Sequence, residues 1–377
     1  MAITFMFNRI PIQVAGNHPV INLILEEFCL FPRTTLAPQV LFYITNKPFE
    51  ILPGALELDN TIIVDDNGVY FQLPFFRTLL RLEGKVRFIE EGKDPLRLTL
   101  WPRDTVPPRG IWGKIKDIAW QIRNWTFLPS LAQLSYNIIN GGIEPCLLFF
   151  GSRKRTLLHA SSLVKDGRAV LLTGWGGVGK TSAEVSLVFD YGWQFLSDDI
   201  SLIGDDGIAT LYPRHLMVYA YNLVNNPTLQ RAVFDSRSLV DQLQWRLRRW
   251  LRGPMGVRRR VAPQQLFGSA KIGQSGHIAH VIELVHHHAP EFLLEDIDLE
   301  GLVRRAAHTI AAEYYFYFRY IDALGALGQE DITVERILER VRAVYRCAFA
   351  TAKLQRLLVP VATTPGALAG FLADLLD

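Results

Sequence analysis

Apolar and polar positions change rhythm along the chain, and each change marks a boundary. Up to about residue 104, short β-branched and aromatic runs (ITFMF, QVLFYI, TIIVDDNGVYFQL, KVRFIEEG, LRLTLW) are cut by the turn signals NKP, PG, DDNG and EGKDP. This predicts a small β-rich N-terminal domain over residues 1–104. The stretch PRDTVPPRG at 102–110 carries three prolines, so it can continue neither a helix nor a central strand and is expected to be a linker. A linker and one helix are read over 105–145. In that helix, IWGKIKDIAWQIRNW, the residues Trp112, Ile115, Ile118, Ile122 and Trp125 recur at helical spacing on one side. A membrane-surface helix carries the same pattern, but a stripe packed against its own domain is the expectation.

From 146 to 298 the pattern becomes strand, loop, helix, strand: CLLFF, RTLLHASSLV, a DGR turn, AVLLTG, a glycine run, SAEVSLVFDYG, then QFLSDDISLIG. Over 299–377 the chain reads as helical, through EGLVRRAAHTIAAEYYFYFRYIDAL, TVERILERVRAVYRCAFATAKLQRLL and TPGALAGFLADLL. In the last of these, Thr364 is a good N-cap and Pro365 a good first helical residue.

The glycine run holds the most specific chemistry. Gly174-Trp-Gly-Gly-Val-Gly179-Lys180-Thr181 matches G-x-x-x-x-G-K-[ST], between an apolar strand, Ala169 to Thr173, and a helix, Ser182 to Asp190. Glycines let successive amides turn inward around phosphate oxygens, and the helix start adds unpaired amides and the positive end of its dipole. Lys180 would neutralise the β- and γ-phosphates, and the Thr181 hydroxyl would complete a magnesium shell.

Two further features follow from position. Asp198 and Asp199 close an apolar run 17 and 18 residues beyond Thr181, leaving room for one helix and a return strand. Adjacent strand residues point to opposite faces, so one carboxylate can face a metal and the other a neighbouring site. Upstream, His159 lies in a strand joined by the DGR turn to the glycine-run strand, and a hairpin would bring it beside the phosphates.

Composition changes this picture little. Of 377 residues, 49% are hydrophobic and 20% charged, which fits a globular protein of two or three folded units. The net charge of +3, from 40 basic and 37 acidic side chains, selects no partner. Cys29, Cys146 and Cys347 are far apart and match no metal spacing, as in a reducing compartment. The N-terminus lacks a leader pattern and no run of 18 residues is free of charges and breakers, so a cytoplasmic protein without a membrane span is expected.

The ordered set LLHAS, DGRAVLLTGWGGVGKTS and FLSDD resembles the HPr kinase/phosphorylase family, whose nucleotide core is shared with phosphoenolpyruvate carboxykinases. The similarity covers roughly residues 146–290, with its sharp motifs in 157–203. It implies an α/β (mixed α+β) fold: a P-loop core, the smaller β-rich domain before it and the helical region after it. The cofactors implied are ATP and Mg2+. Gly174, Gly176, Gly177, Val178, Gly179, Lys180, Thr181 and Ser182 would hold the nucleotide, and Thr181 and Asp199 the metal. Asp198 would take the acceptor's proton, with His159 and Lys180 beside it; the reverse assignment of the two aspartates stays open. The implied partner is a hydroxyl-bearing acceptor, serine-type first, on a protein, peptide or small metabolite. By fold analogy alone the chain would be a homo-oligomer. Trp175-Gly176-Gly177 departs from the small-polar-glycine usual in the family's loop. The competing readings are a nucleotide-binding switch or ATPase without an acceptor and, last, a carboxykinase-like enzyme.

Two segments lie outside these motifs. Gln244 to Arg260, QWRLRRWLRGPMGVRRR, has seven arginines among 17 residues. It suits an acidic acceptor or other phosphate contact, or a mobile solvated lid, with nucleic acid and an anionic membrane not favoured. His286-His287-His288 alternate in direction along a strand and so are not expected to converge on one ion. Ser275 and Gly276 are expected to open a core strand near the ligand.

Overall fold

The computed structural model describes residues 2–7, 10–58, 61–83, 87–89, 92, 94–105, 110–124, 129–151, 154–224, 227–235, 237–326 and 332–377. The protein is mixed α+β. Its chain divides into two compact units, Met1–Thr156 with Ala311–Arg340, and Leu157–Ile310 with Val341–Asp377.

The first unit is built on an eight-stranded sheet of β1 (Ala2–Phe7), β2 (Ile10–Gly16), β3 (Val40–Ile44), β4 (Leu56–Leu58), β5 (Ile62–Asp65), β6 (Gly68–Gln72), β7 (Leu79–Glu83) and β8 (Leu96–Trp101). The strand order is β1-β2-β3-β8-β7-β6-β5-β4. β2, β3 and β8 run parallel, and helix α1 (Ile21–Glu27) lies in the crossover that a parallel β2–β3 pair requires. Alternation sets the buried side: Ile12 and Val14, Phe42 and Ile44, Leu98 and Leu100 all point into the core, as do Ile24 and Leu25 of α1.

After the sheet come α2 (Gly110–Asn124), α3 (Ser130–Ile138) and α4 (Glu144–Phe150), the last two continuous through a π-helical turn at Ile139–Ile143. CLLFF, expected as a strand, is therefore helical. Every residue of α4 is buried, and a run buried on all sides has no polar face to show its period. Helix α10 (Tyr315–Ala326) packs on it, with Tyr317 stacked on Phe149 at 5.5 Å and its hydroxyl donating to the Gly141 carbonyl at 3.0 Å.

Helix α2 forms, but the expectation that its apolar stripe packs inward is overturned. Ile111, Trp112, Ile115, Ile118 and Ile122 are 48–78% exposed. The inward residue is Asp117, whose carboxylate accepts from the Ser130 amide at 2.9 Å and the Gln121 side chain at 3.0 Å. Trp120, stacked on Phe76 at 5.4 Å, is the helix's aromatic contact. Spacing reveals a stripe, and only the surrounding chain decides what covers it. Trp125 and residues 106–109 of the expected linker lie outside the described residues.

The second sheet contains β9 (Arg155–Leu158), β10 (Ala160–Lys165), β11 (Arg168–Thr173), β12 (Gln194–Ser197), β13 (Ser201–Gly204), β14 (Ile208–Thr210), β17 (Ser275–His287), β18 (Leu293–Asp296) and β19 (Lys353–Pro360). Its path is β12-β10-β11-β17-β14-β13-β9, with β19 beside β17 and β18 beside β19. The segment AKLQRLL, read as helical, is the strand β19, parallel to β17; its alternating burial is a strand period that the preceding helix pattern hid. Otherwise the C-terminal region is helical, through α9 (Leu299–Glu313), α11 (Val334–Phe349) and α12 (Pro365–Leu376). The α12 cap is the one expected, the Thr364 hydroxyl accepting from the Ala367 amide at 3.3 Å after which Pro365 opens the helix. A two-stranded ribbon of β15 (Leu216–Tyr219) and β16 (Arg258–Val261) accompanies α6 (Pro227–Phe234), α7 (Leu239–Arg252) and α8 (Pro263–Phe267).

Candidate phosphate-binding site

β10 and β11 form the expected hairpin, Ala160 pairing with Thr173 and Lys165 with Arg168. β11 is buried from Ala169 onward between β10 and β17, which is why it reads as an unbroken apolar run. It delivers the chain into the glycine loop, and α5 (Lys180–Asp190) leaves it.

The loop's glycines are partly dictated by geometry. Gly174 has φ +139°, and a Cβ there would stand 2.4 Å from the Leu284 carbonyl oxygen of β17. Gly179, at φ +99°, sits at the N-cap position of α5 with no side chain capping the helix. The first-turn amides of α5 therefore face the loop without a side-chain acceptor, the arrangement that suits an anion. Gly176 has open space around its Cβ position.

Lys180 is folded under the loop. Its ammonium donates to the carbonyls of Gly174 at 2.7 Å and Trp175 at 3.2 Å, and lies 3.2 Å from His159 Nε2. An ammonium can only donate, so Nε2 is the acceptor and the imidazole is neutral with its proton on Nδ1. Burial, followed by the Lys180 charge, holds the His159 pKa down to about 4. His159 lies at the break between β9 and β10 rather than inside one strand, and Thr173 Oγ1 pins its carbonyl at 3.0 Å. Its Nδ1 is 3.7 Å from Asp199 Oδ1.

The two aspartates sit just past β12, in a turn. The Ile200 amide donates to the Asp198 carbonyl at 2.8 Å, enclosing Asp199, whose φ is +67°. This tight three-residue turn is strained for a non-glycine residue, and it splits the pair more sharply than strand alternation would. Asp198 is 7% exposed, whereas the Asp199 side chain is 66% exposed. The turn is braced by hydroxyls, Ser162 to Ser197 at 2.5 Å and Ser197 to Ser201 at 2.8 Å, with Ser201 donating to the Ala160 carbonyl at 2.8 Å.

Asp198 Oδ1 accepts from Thr181 Oγ1 at 2.8 Å and from Ser161 Oγ at 3.0 Å. Glycine loop, helix start and carboxylate turn are thereby joined at one oxygen. Beneath it lies Glu184, fully buried, with neither carboxyl oxygen in a hydrogen bond of normal geometry among the described residues. Burial first, then the neighbouring Asp198, raises the Glu184 pKa well above the usual carboxylate range. Burial and Asp199 likewise push Asp198 up to about 6. Ser182 is held by Asn222, whose amide donates to its hydroxyl at 2.5 Å.

A stability prediction follows from Asp198. The unfolded chain releases this proton near 3.8 and the folded protein near 6, so native stability falls as pH rises through that window. Asp198→Asn, which removes the buried charge, is expected to stabilise the ligand-free protein by roughly 1–3 kcal/mol at pH 8, with the gain vanishing near pH 4. Thermal melts of both proteins at the two pH values check this; an equal effect at both would refute it.

Spacing along the sequence singled out Gly174, Gly176, Gly177, Val178, Gly179, Lys180, Thr181, Ser182, His159, Asp198 and Asp199, and these occupy the loop, the helix start and the strand ends beside them. Glu184, Ser161 and Asn222 were not singled out. Glu184 stands four residues after Lys180, one helical turn on, which is the one local signal that could have found it. Ser275 and Gly276 do not approach the loop: β11 and β17 are parallel, with Arg168 opposite His277 and Thr173 opposite Glu283, so they lie at the far end of the strand. Of the three histidines, His286 Nε2 is 3.4 Å from the Gly177 carbonyl, and His287 Nε2 is 2.8 Å from that of Glu291. Among the described residues no three or more His, Cys, Asp or Glu cluster as metal ligands. The donor set is instead a hydroxyl and a carboxylate beside a phosphate cradle, which fits Mg2+, an ion that takes few protein ligands and completes its shell with water and phosphate.

No protein-family model and no curated protein matches the chain. Among solved structures it is similar to the Hpr(Ser) kinase/phosphatase from Coxiella burnetii, at 15% identity and a TM-score of 0.27, over 59% of this chain and 93% of that one.

Proposed function

We propose that this protein is an ATP- and Mg2+-dependent kinase that transfers the γ-phosphate to a hydroxyl acceptor. The observation that carries the reading is the Thr181–Asp198 hydrogen bond at 2.8 Å, which ties the glycine-loop helix to the carboxylate turn and brings together the hydroxyl and carboxylate that would hold Mg2+. Bound Mg·ATP supplies the activated phosphoryl group and most of the charge neutralisation at it.

The chain's own groups supply position and proton handling. The amides of the glycine loop and of the first turn of α5 would cradle phosphate oxygens, with the Lys180 ammonium, on the Gly174 and Trp175 carbonyls, as the positive charge beside them. Thr181 and Asp198 would hold the metal. Asp199, exposed beside His159, accepts the acceptor's hydroxyl proton as the new O–P bond forms and the bond to the departing ADP breaks. This assigns the aspartates in the order opposite to the one the resemblance implies, because the buried carboxylate bonds Thr181 and the exposed one can reach an acceptor. His159 Nδ1 faces the Asp199 carboxylate at 3.7 Å. A serine-type hydroxyl on a protein, peptide or metabolite is the acceptor class.

The test follows label from the ATP γ-phosphate, with Mg2+, into protein, peptide and metabolite fractions of a lysate. Label accumulating in one fraction is the expected result and names the substrate class. Free phosphate as the sole labelled product in every fraction would instead indicate an ATPase or nucleotide switch.

A further inference from the structure

Helix α7 carries a surface that the phosphate site does not use. Leu239, Val240, Leu243, Leu247, Trp250 and Leu251 are 45–81% exposed, and Met255 just beyond the helix is 66% exposed. At about 100° per residue these helical positions fall within one stripe about 120° wide. The opposite side anchors the helix. Trp245 is buried, edge-on to Phe234 at 5.2 Å and under the Arg259 guanidinium at 5.2 Å, and Asp241 pairs with Arg237 at 3.3 Å and Arg259 at 3.2 Å. Exposed Arg246 and Arg249 border one edge of the stripe, while Arg248 and Arg252 lie beyond the other. The helix's single acidic residue, Asp241, is engaged on the inner side, so α7 itself brings no negative charge to the stripe, although Asp235 lines the same groove as Arg246 and Arg249.

We propose that α7 lies in the plane of an anionic lipid surface, its leucines and Trp250 entering the headgroup boundary and its arginines meeting lipid phosphates. Two observations select this occupant. The cationic borders of the stripe require negative charge at the same depth, which a second copy of this chain would answer with like charge. A nucleic acid would leave the exposed leucines in water. A cationic, amphipathic helix of low net hydrophobicity with Trp and Leu opposite Arg has the composition of an interfacial helix rather than a spanning one. No described helix is long and apolar enough to cross a membrane. In the other unit, the exposed stripe of α2, with Lys114, Lys116 and Arg123 on the same helix, is a separate candidate that the test must distinguish.

The experiment is co-sedimentation of the full chain with vesicles of phosphatidylcholine alone or with about 30% phosphatidylglycerol. The expected result is binding to the anionic vesicles only, weakening as salt is raised. Leu243→Ser/Leu247→Ser/Trp250→Ser and, separately, Arg246→Gln/Arg249→Gln/Arg252→Gln should each weaken it by at least about tenfold. Unchanged circular dichroism and melting of both variants, whose substituted side chains are all exposed, would show that folding is intact. The proposal is overturned if the protein ignores both vesicles, binds them equally, or binds as well after the stripe is removed. It is also overturned if Ile115→Ser/Ile118→Ser in α2 abolishes binding while both α7 variants leave it intact, or if the α7 stripe drives concentration-dependent self-association without vesicle binding.

Discussion

Lys180→Ala is expected to lower ATP turnover by about 10²-fold or more and to weaken ATP binding, while leaving the fold intact. Lys180 is 7% exposed, and its ammonium donates to the Gly174 and Trp175 carbonyls and lies against His159, so its removal relieves a buried charge. Lys180→Arg should not rescue turnover. A planar guanidinium replaces a compact charge that reaches two carbonyls of one tight loop, at 2.7 and 3.2 Å. Calorimetric titration with ATP and steady-state turnover check both variants. Turnover within about threefold of the parent protein would end the phosphate-cradle reading.

The aspartates should fail in different ways. Asp199→Asn is expected to keep Mg2+-dependent ATP binding within a few-fold but to lower transfer by about 10²–10⁴, the usual cost of losing a general base. Asp198→Asn should instead weaken Mg2+-dependent ATP binding by roughly 10–100-fold, because the carboxylate that accepts from Thr181 at 2.8 Å becomes a neutral amide. Since Asp198 holds a proton up to about pH 6, Mg2+-dependent affinity of the parent protein should also decline as pH falls below that value. The measurements are ATP titrations with and without Mg2+ across pH, beside label transfer. If the phenotypes are exchanged, Asp198 is the base and Asp199 holds the metal.

Much of the candidate site was legible because the arrangement it proposes is local. A phosphate cradle needs consecutive residues of stated conformation, so glycines with positive φ at 174, 177 and 179 and the Lys-Thr that follows are written in order along the chain. The DGR turn specifies the β10–β11 hairpin in the same way, and with it the nearness of His159 to the loop. Glu184 had only its spacing from Lys180 to mark it, since a carboxyl one turn into a helix looks solvated until the sheet closes over it.

Local order was likewise enough for the β-rich beginning, the glycine loop with its helix and the Thr364 cap, because turn chemistry, backbone freedom and capping act over a few residues. Contacts between distant segments decided the remainder. They buried CLLFF on every side and made it helical, and they placed Lys353–Pro360 beside β17 as a strand. They left the stripes of α2 and α7 facing water. They also turned Asp198 inward against Thr181 and Asp199 outward, a choice made by the strained turn between β12 and β13 and its serine brace. Spacing states which residues share a face; which face is covered, and which carboxylate keeps its proton, depends on what the rest of the chain packs against it.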